Sequence, residues 1–184
     1  MWHIGRGVDD GNLIATFPSG GSDSLVRAMS FDGQILVFAD GNGGFYRSDG
    51  TAEGSVLVKE TEGYAMSSAV VPFQDRFYFV TGDDLWVTDG TKSGTTLVKE
   101  FVADGPIAGV SSLVAVGDRL FMAANDGVHG SELRTSDGTA GGTLLAADIN
   151  AGAQGSVPTE LTRSGDRLYF SANDGQHGRE LWSV

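Results

Sequence analysis

The chain has 184 residues, and its 24 acidic against 12 basic side chains give a formal net charge of −12 at pH 7. Such a charge repels a phosphate backbone, so we expect no nucleic-acid partner. The sequence contains no cysteine, which excludes a disulfide framework and a cysteine-ligated metal site. Its apolar runs are all too short for a membrane-spanning helix, so we also expect no membrane insertion.

The first residues, 1–9, precede the repeated part of the sequence and are interpreted as a leader that lacks the apolar core of a secretory signal. From residue 10 to residue 184 one phrase recurs, beginning at Phe45, Leu85, Leu133 and Leu181. The spacing of about 40 to 48 residues leaves room for four short strands in each repeat. Residues 10–184 are therefore predicted to form a single domain of four repeats.

Asp-Gly turns separate the predicted strands. The recurring phrase ends in one such turn, which begins at Asp49, Asp89 and Asp137. A further glycine follows each of these aspartates, at Gly54, Gly94 and Gly142 respectively. Glycine supplies the positive φ that hairpin turns need. A second turn reverses the chain at Asn125-Asp126-Gly127 and again at Asn173-Asp174-Gly175. Four strands joined by such short turns make an antiparallel meander.

The fold predicted from these repeats is all-β, a β-propeller of four-stranded antiparallel blades. A meander that is apolar on both faces is stabilised when copies stack face to face around an axis. The last phrase reaches Val184, and the Asp-Gly expected next is found at Asp10-Gly11, so strand 180–184 should complete a split blade begun by the N-terminus. The ring would then close with four blades in a monomer or eight in a homodimer. An open stack is less favoured because it exposes apolar end faces.

The phrase Glu180-Leu181-Trp182 and the Asp-Gly-Thr phrases at Asp89 and Asp137 resemble the bacterial repeats named for a Glu-Leu-Trp-x-x-Asp-Gly-Thr (ELWxxDGT) signature, which are also grouped with hyalin-like repeats. The segments 124–133 and 172–181 share that family's Ala-Asn-Asp-Gly-x-His-Gly-x-Glu-Leu turn. The first two repeats lack its glutamate and histidine. The resemblance implies tandem-repeat proteins that are secreted or at the bacterial cell surface, and it implies no catalytic residue.

Two histidines, His129 and His177, occupy equivalent turns ahead of a glutamate. An imidazole beside a carboxylate is suited to metal binding or acid–base chemistry. Because the turns are copies of one another, the favoured interpretation is that each imidazole binds its own turn. The aspartates Asp126 and Asp174 are candidate calcium ligands, although turn formation and backbone capping also explain them. We therefore predict no cofactor and keep calcium as the alternative.

Trp86 and Trp182 share one position in the repeat, where Tyr46 and Arg134 stand in the other two copies. Exposed aromatic rings can stack on sugars, so these four residues and the two histidines are candidate ligand-binding residues. Packing between blades is the favoured alternative for the rings. A buried guanidinium is costly without a partner, so Arg134 should reach solvent or a carboxylate.

No Gly-x-Ser-x-Gly elbow or phosphate-binding loop accompanies the repeats in the sequence. The favoured hypothesis is a non-enzymatic binding or scaffold module of a secreted bacterial repeat protein, which presents blade loops to a glycan or protein partner. The first alternative is a polysaccharide-acting enzyme with a pocket on the propeller axis, using His129 and His177. The second is an excised or engineered propeller fragment whose main property is self-assembly.

Overall fold

The computed structural model describes residues 26–31, 34–39, 44–49, 51, 53–60, 70–81, 83–102 and 110–184. In these ranges the protein is all-β, and no helix is long and apolar enough to cross a membrane. The strands in chain order are β1 (Val26–Phe31), β2 (Gln34–Ala39), β3 (Gly44–Ser48), β4 (Val56–Glu60), β5 (Val71–Phe73), β6 (Arg76–Thr81), β7 (Asp84–Thr88), β8 (Thr96–Lys99), β9 (Val110–Val116), β10 (Arg119–Asn125), β11 (Ser131–Ser136), β12 (Leu144–Ala147), β13 (Thr159–Ser164), β14 (Arg167–Asn173) and β15 (Arg179–Ser183).

Consecutive strands pair antiparallel, so every sheet is a local meander. Sheet I contains β1–β4, sheet II β5–β8 and sheet III β9–β12, and each has four strands in chain order. Sheet IV contains the three strands β13–β15. The prediction of antiparallel meanders is confirmed. The segment predicted to complete the last sheet, 10–17, and the predicted leader, 1–9, lie outside the described residues.

The second strands of sheets II and III, β6 and β10, are covered on both faces, which explains their apolar sequences. In β10 the side chains of Leu120, Met122, Ala123 and Ala124 are all buried, although successive residues of a strand point to opposite faces. The first strands of sheets III and IV carry equivalent bulges, at Ser112 and Glu160, where φ is +58° and +57° and the pairing register shifts.

Apolar clusters lie between successive sheets, so the sheets stack face to face in chain order. Sheets I and II share a cluster of phenylalanines, among them Phe45 and Phe79, whose ring centroids are 5.5 Å apart. A larger cluster joins sheets II and III, and a third joins sheets III and IV.

The first residue of the recurring phrase faces the sheet that follows. Phe45, Leu85 and Leu133 each belong to the cluster shared with the next sheet, and each is 0% exposed. The corresponding residue of sheet IV, Leu181, is 78% exposed. In the described part of the chain, the outer face of sheet IV is therefore uncovered at a position that is buried in the other three sheets.

Candidate functional site

The Asp-Gly-Thr turns are closed by their own hydrogen bonds. In sheet III, Asp137 Oδ1 accepts hydrogen bonds from the backbone N–H and the hydroxyl of Thr139, at 2.9 and 2.7 Å. The Thr139 hydroxyl in turn accepts one from the Gly142 N–H at 3.0 Å. The same bonds recur at Asp49 and Asp89. The side-chain hydrogen bond from each threonine lowers the pKa of its aspartate.

The two histidine turns have one geometry. Asp126 Oδ1 accepts the backbone N–H groups of Val128 and His129, and its Oδ2 lies 2.8 Å from His129 Nδ1. Asp174 does the same with Gln176 and His177, again with 2.8 Å between Oδ2 and Nδ1. Each imidazole therefore binds the aspartate of its own turn, as the favoured interpretation of the sequence expects. The two dyads lie in successive sheets, each complete within its own turn.

Charge and hydrogen bonding shift the pKa values of these groups. The hydrogen bonds from His177 and from the Gln176 backbone lower the pKa of Asp174 to about 2. The hydrogen bond and charge of Asp174, together with the charge of Glu180, raise the pKa of His177. For Asp126 burial opposes ionisation, but the hydrogen bonds from the His129 backbone, His129 side chain and Arg134 outweigh it and lower its pKa well below the usual range.

Arg134 is buried and reaches a carboxylate, as the sequence predicts. Its Nη2 lies 2.6 Å from Asp126 Oδ2, so Asp126 bridges an arginine and a histidine. Its Nε lies 3.4 Å from the carbonyl oxygen of Ala124. At the equivalent position in sheet IV, the indole N–H of Trp182 donates to the carbonyl oxygen of Ala172 at 3.3 Å. The two very different side chains thus make the same contact with the neighbouring strand.

The aromatic residues at this position pack between sheets. Trp182 is half-buried against the cluster shared by sheets III and IV, and Trp86 is half-buried against the cluster shared by sheets I and II. The Lys59 ammonium lies 4.1 Å from the centre of the Trp86 ring, within range of a cation–π contact. Tyr46 is also half-buried. Among the described contacts, none brings Trp86, Trp182 or Tyr46 onto a shared surface patch with the two histidines.

Glu132 binds the connector that leads from sheet III to sheet IV. Its carboxylate is fully buried and accepts hydrogen bonds from the backbone N–H groups of Ile149, Asn150 and Ser156, at 2.8–3.1 Å, and one from the Ser156 hydroxyl at 2.5 Å. A buried charge is tolerable when several donors satisfy it. In the sequence this glutamate stands out only as a neighbour of His129. The connector after β12 contains Gly152, Gly155 and Ser156, and this turn-forming sequence after a fourth strand is the signal that could have identified the role.

The equivalent acids in the other sheets differ. In sheet II, Asp84 Oδ1 accepts the Phe101 N–H at 3.3 Å, and burial raises the pKa of Asp84. In sheet IV, the Glu180 carboxylate lies within 4.8 Å of ligand atoms of Asp174 and His177. Both oxygens of Asp174 already accept hydrogen bonds from their own turn, so this partly exposed trio offers a cation few free lone pairs. The prediction of no cofactor, with calcium at Asp126 or Asp174 as its alternative, stays a prediction.

A groove of about 480 Å³ with both polar and apolar lining lies where the connector from sheet III meets sheet IV. Its polar side chains are Asn150, Gln154 and Ser156 from the connector, and Asn173 and Arg179 from sheet IV. Arg179 is positioned by its Nη2, which donates to Thr159 Oγ1 at 2.6 Å and to the Ser171 carbonyl at 2.8 Å.

The backbone of this groove is unusual at Val157, which holds φ at +51°, a region that β-branched residues rarely adopt. Its N–H donates to the Ser131 carbonyl at 2.9 Å, which ties the connector to β11. The groove could not be predicted from the sequence, because Asn150 and Arg179 lie far apart in the chain and belong to different repeats.

No protein-family model and no curated protein matches the chain. Among solved structures, the computationally designed Ika4 protein matches with a TM-score of 0.53 at 16% identity, over 95% of this chain and 99% of that one. The computationally designed Ika8 protein matches at 0.50 and 18% identity, over 89% of this chain and 47% of that one. A prolyl endopeptidase structure matches at 0.52 and 17% identity, over 87% of this chain and 26% of that one.

The chain thus spans about half the length of the Ika8 protein and about a quarter of the endopeptidase chain. At this level of identity the similarity concerns the fold alone. The chain has an all-β, propeller-like fold.

Proposed function

We propose that the chain is a non-enzymatic binding module that presents blade loops to a glycan, as part of a secreted or surface-attached bacterial repeat protein. The observation that carries this proposal is the groove between the sheet III connector and sheet IV, because it draws polar side chains from two successive repeats. Grooves that bind small molecules use a few convergent polar groups to fix orientation.

The chemistry of the groove favours a neutral, hydroxyl-rich ligand. Amide side chains both donate and accept hydrogen bonds, and a guanidinium only donates, so Asn150, Gln154, Asn173 and Arg179 can match the alternating donors and acceptors of a sugar. Arg179 is the one cation among the residues that line the groove. With a net charge of −12 on the chain, a polyanionic ligand would be repelled at longer range.

The four sheets are proposed to be the blades of a closed ring, with residues 10–17 as the fourth strand of the last blade beside β15. Two observations support closure. Sheet IV has three strands within the described residues while the other sheets have four. Leu181 is exposed although Phe45, Leu85 and Leu133 are buried at the same position. A ring would place sheet I against Leu181.

Glycan binding is tested with an array of neutral oligosaccharides, followed by titration calorimetry on the best ligand. Replacing Arg179 by alanine should weaken binding by about tenfold or more, because a hydrogen bond from a charged donor is lost. Arg163→Ala is the matched control, since Arg163 is exposed on β13 and bonds only to the Gly165 carbonyl among the groups described. The Arg163→Ala variant should bind the glycan with the same affinity as the unaltered protein.

Arg179 also holds β13 and β14 together, so a second variant separates binding from folding. Gln154 is exposed in the connector, and Gln154→Ala should lower affinity without lowering the unfolding midpoint. An array without binding, or equal affinities for the unaltered protein, Arg179→Ala and Gln154→Ala, would remove the groove as a glycan site.

A further inference from the structure

The groove between the sheet III connector and sheet IV has an aliphatic wall beside its polar groups. This wall consists of Ala153 and Val157, which line the groove together with the polar side chains. Ala153 is exposed and Val157 is half-buried, so solvent reaches both residues. The groove therefore combines hydrogen-bonding groups with a small apolar surface.

The backbone of Val157 is held at both of its polar groups. Its N–H donates to the Ser131 carbonyl at 2.9 Å, and its carbonyl accepts a hydrogen bond from Arg179 Nη2 at 3.1 Å. These contacts hold φ at +51°, a value that β-branched residues rarely adopt. Such strain persists only where the surrounding structure imposes it, and it is frequent at ligand sites. The aliphatic wall is thus placed by the fold at a cost in backbone energy.

Three side chains of the groove are only partly used by hydrogen bonds within the described residues. Asn150 donates through Nδ2 to the Gly155 carbonyl at 2.9 Å, which leaves its Oδ1 as an acceptor. Asn173 accepts the Gly175 N–H through Oδ1 at 2.7 Å, which leaves its Nδ2 as a donor. Arg179 uses Nε and Nη2, which leaves Nη1 as a second donor. These three side chains therefore offer a ligand one acceptor and two donors.

We propose that the groove recognises the acetamido group of an N-acetylated sugar. Like a peptide group, an acetamido group has an N–H donor and a carbonyl acceptor, to which it adds an apolar methyl group. Asn150 Oδ1 accepts its N–H, and Asn173 and Arg179 donate to its carbonyl. The methyl group packs against Ala153 and Val157. This inference rests on the glycan binding proposed above and names the class of sugar.

Two tetrasaccharides that differ only at C2 of each ring test the inference. Chitotetraose carries acetamido groups where cellotetraose carries hydroxyl groups, and both are neutral. Titration calorimetry on the full chain should show about tenfold tighter binding of chitotetraose, because its acetamido group adds a hydrogen bond and a buried methyl group. The methyl glycosides of N-acetylgalactosamine and galactose form a second pair with a different ring stereochemistry. We expect the acetamido member to bind more tightly in at least one pair.

Val157→Thr shows whether the preference comes from the aliphatic wall. Threonine keeps the β-branched shape at this φ but replaces one methyl group with a hydroxyl. The affinity for the preferred acetamido sugar should fall by about fourfold, which corresponds to one buried methyl group, and the affinity for its hydroxyl counterpart should not change. Val56→Thr, at an exposed position of β4, is the matched control and should change neither affinity. If Val157→Thr lowers the unfolding midpoint, Ala153→Asn at the exposed end of the wall takes its place.

The outcomes separate this inference from glycan binding itself. If neither pair binds and the array of neutral oligosaccharides is also empty, glycan binding fails and the acetamido site fails with it. If glycans bind but no acetamido member is preferred, glycan binding stands and the acetamido site is refuted. A preference that survives the wall variant, in a protein that keeps its unfolding midpoint, would place recognition outside the groove and also overturn the proposal.

Discussion

At the scale of single residues, the glycine after each Asp-Gly-Thr phrase is required by a neighbouring side chain. Its φ lies outside the left-handed region, so the backbone alone would accept another residue. A Cβ at Gly142 would instead collide with the carboxylate of Asp137, and the same holds at Gly54 and Gly94. The neighbouring Gly141 has nothing within 4 Å of such a Cβ. The turn therefore requires glycine at position 142 because a side chain has no space there, whereas position 141 has space for one.

Gly142→Ala should lower the free energy of unfolding by about 1–3 kcal/mol, because the added methyl group displaces Asp137 from its bonds with Thr139. Gly141→Ala is the matched control and should stay within about 0.5 kcal/mol of the unaltered protein. Urea denaturation followed by tryptophan fluorescence measures both. Equal stabilities for the two variants would show that the turn tolerates a side chain and would contradict the steric account.

The His177–Asp174 dyad gives a pH dependence with a definite sign. The pKa of Asp174 falls from its usual 3.8 to about 2, so its contribution to stability is present above 3.8 and is lost as the pH falls through about 2. The pKa of His177 is raised above its usual 6.5, so its contribution is complete below 6.5 and is lost as the pH rises through the raised pKa. The dyad therefore supports its turn most in weakly acidic solution.

An NMR titration of the imidazole resonances tests this dyad. We expect His177 to titrate above 6.5, and Asp174→Asn to lower its pKa because the hydrogen bond to a charged carboxylate is removed. Asp166→Asn is a control at an exposed turn of the same sheet and should leave His177 unchanged. A His177 pKa that does not respond to Asp174→Asn would rule out the dyad in solution.

Side-chain contacts could be predicted from the sequence where a side chain binds its own turn. They could be predicted only in part where the two partners lie far apart in the chain. The pairing of each histidine with its aspartate follows from a repeated turn of a few residues. The need of Arg134 for a carboxylate follows from its place in a buried strand, but its choice of Asp126 depends on strand pairing. The groove around Arg179 depends on contacts between repeats and left no local signal.

At the scale of elements, the connectors are held by a buried carboxylate as well as by apolar packing. Glu132→Gln keeps the size of the side chain but replaces one carboxylate oxygen with an amide NH₂, so the connector groups that donate to that oxygen lose their acceptor; these are either the Ile149 N–H and the Ser156 hydroxyl or the N–H groups of Asn150 and Ser156. The free energy of unfolding should fall by about 1–3 kcal/mol. The exposed Glu53→Gln is the control and should stay within about 0.5 kcal/mol. Denaturation midpoints measure both, and equal midpoints would contradict an anchoring role.

Strands and turns were predictable because period and turn chemistry act locally. Apolar runs and Asp-Gly turns sufficed to predict the meanders, including β10 to β11 and β14 to β15. The bulges at Ser112 and Glu160 were not predicted, since neither residue is a usual choice for positive φ. The connector at 149–156 was also missed, because its conformation is set by Glu132 in a strand far back in the chain.

At the scale of the whole molecule, the exposed Leu181 distinguishes a closed ring from an open stack. In an open stack its side chain stays in water, and a charge there would cost little. In a ring it packs against sheet I, as Leu133 packs against sheet IV, and a buried unpaired carboxylate would be strongly unfavourable. The two architectures therefore predict different effects on stability when Leu181 is replaced by a charged residue.

We expect Leu181→Asp to lower the free energy of unfolding by about 2–5 kcal/mol, a loss comparable to emptying a buried leucine site. Val128→Asp is the matched control, because Val128 is 66% exposed in a turn that no ring contact would cover, and its effect should stay within about 0.5 kcal/mol. Urea denaturation gives both values, and light scattering compares the solution mass with the 19.2 kDa chain mass. A large loss at the monomer mass supports four blades closed in one chain, and the same loss at twice that mass supports an eight-bladed dimer. Equal, small effects of the two substitutions would leave sheet IV uncovered in solution and refute ring closure, because no architecture that buries Leu181 can accept a carboxylate there without cost.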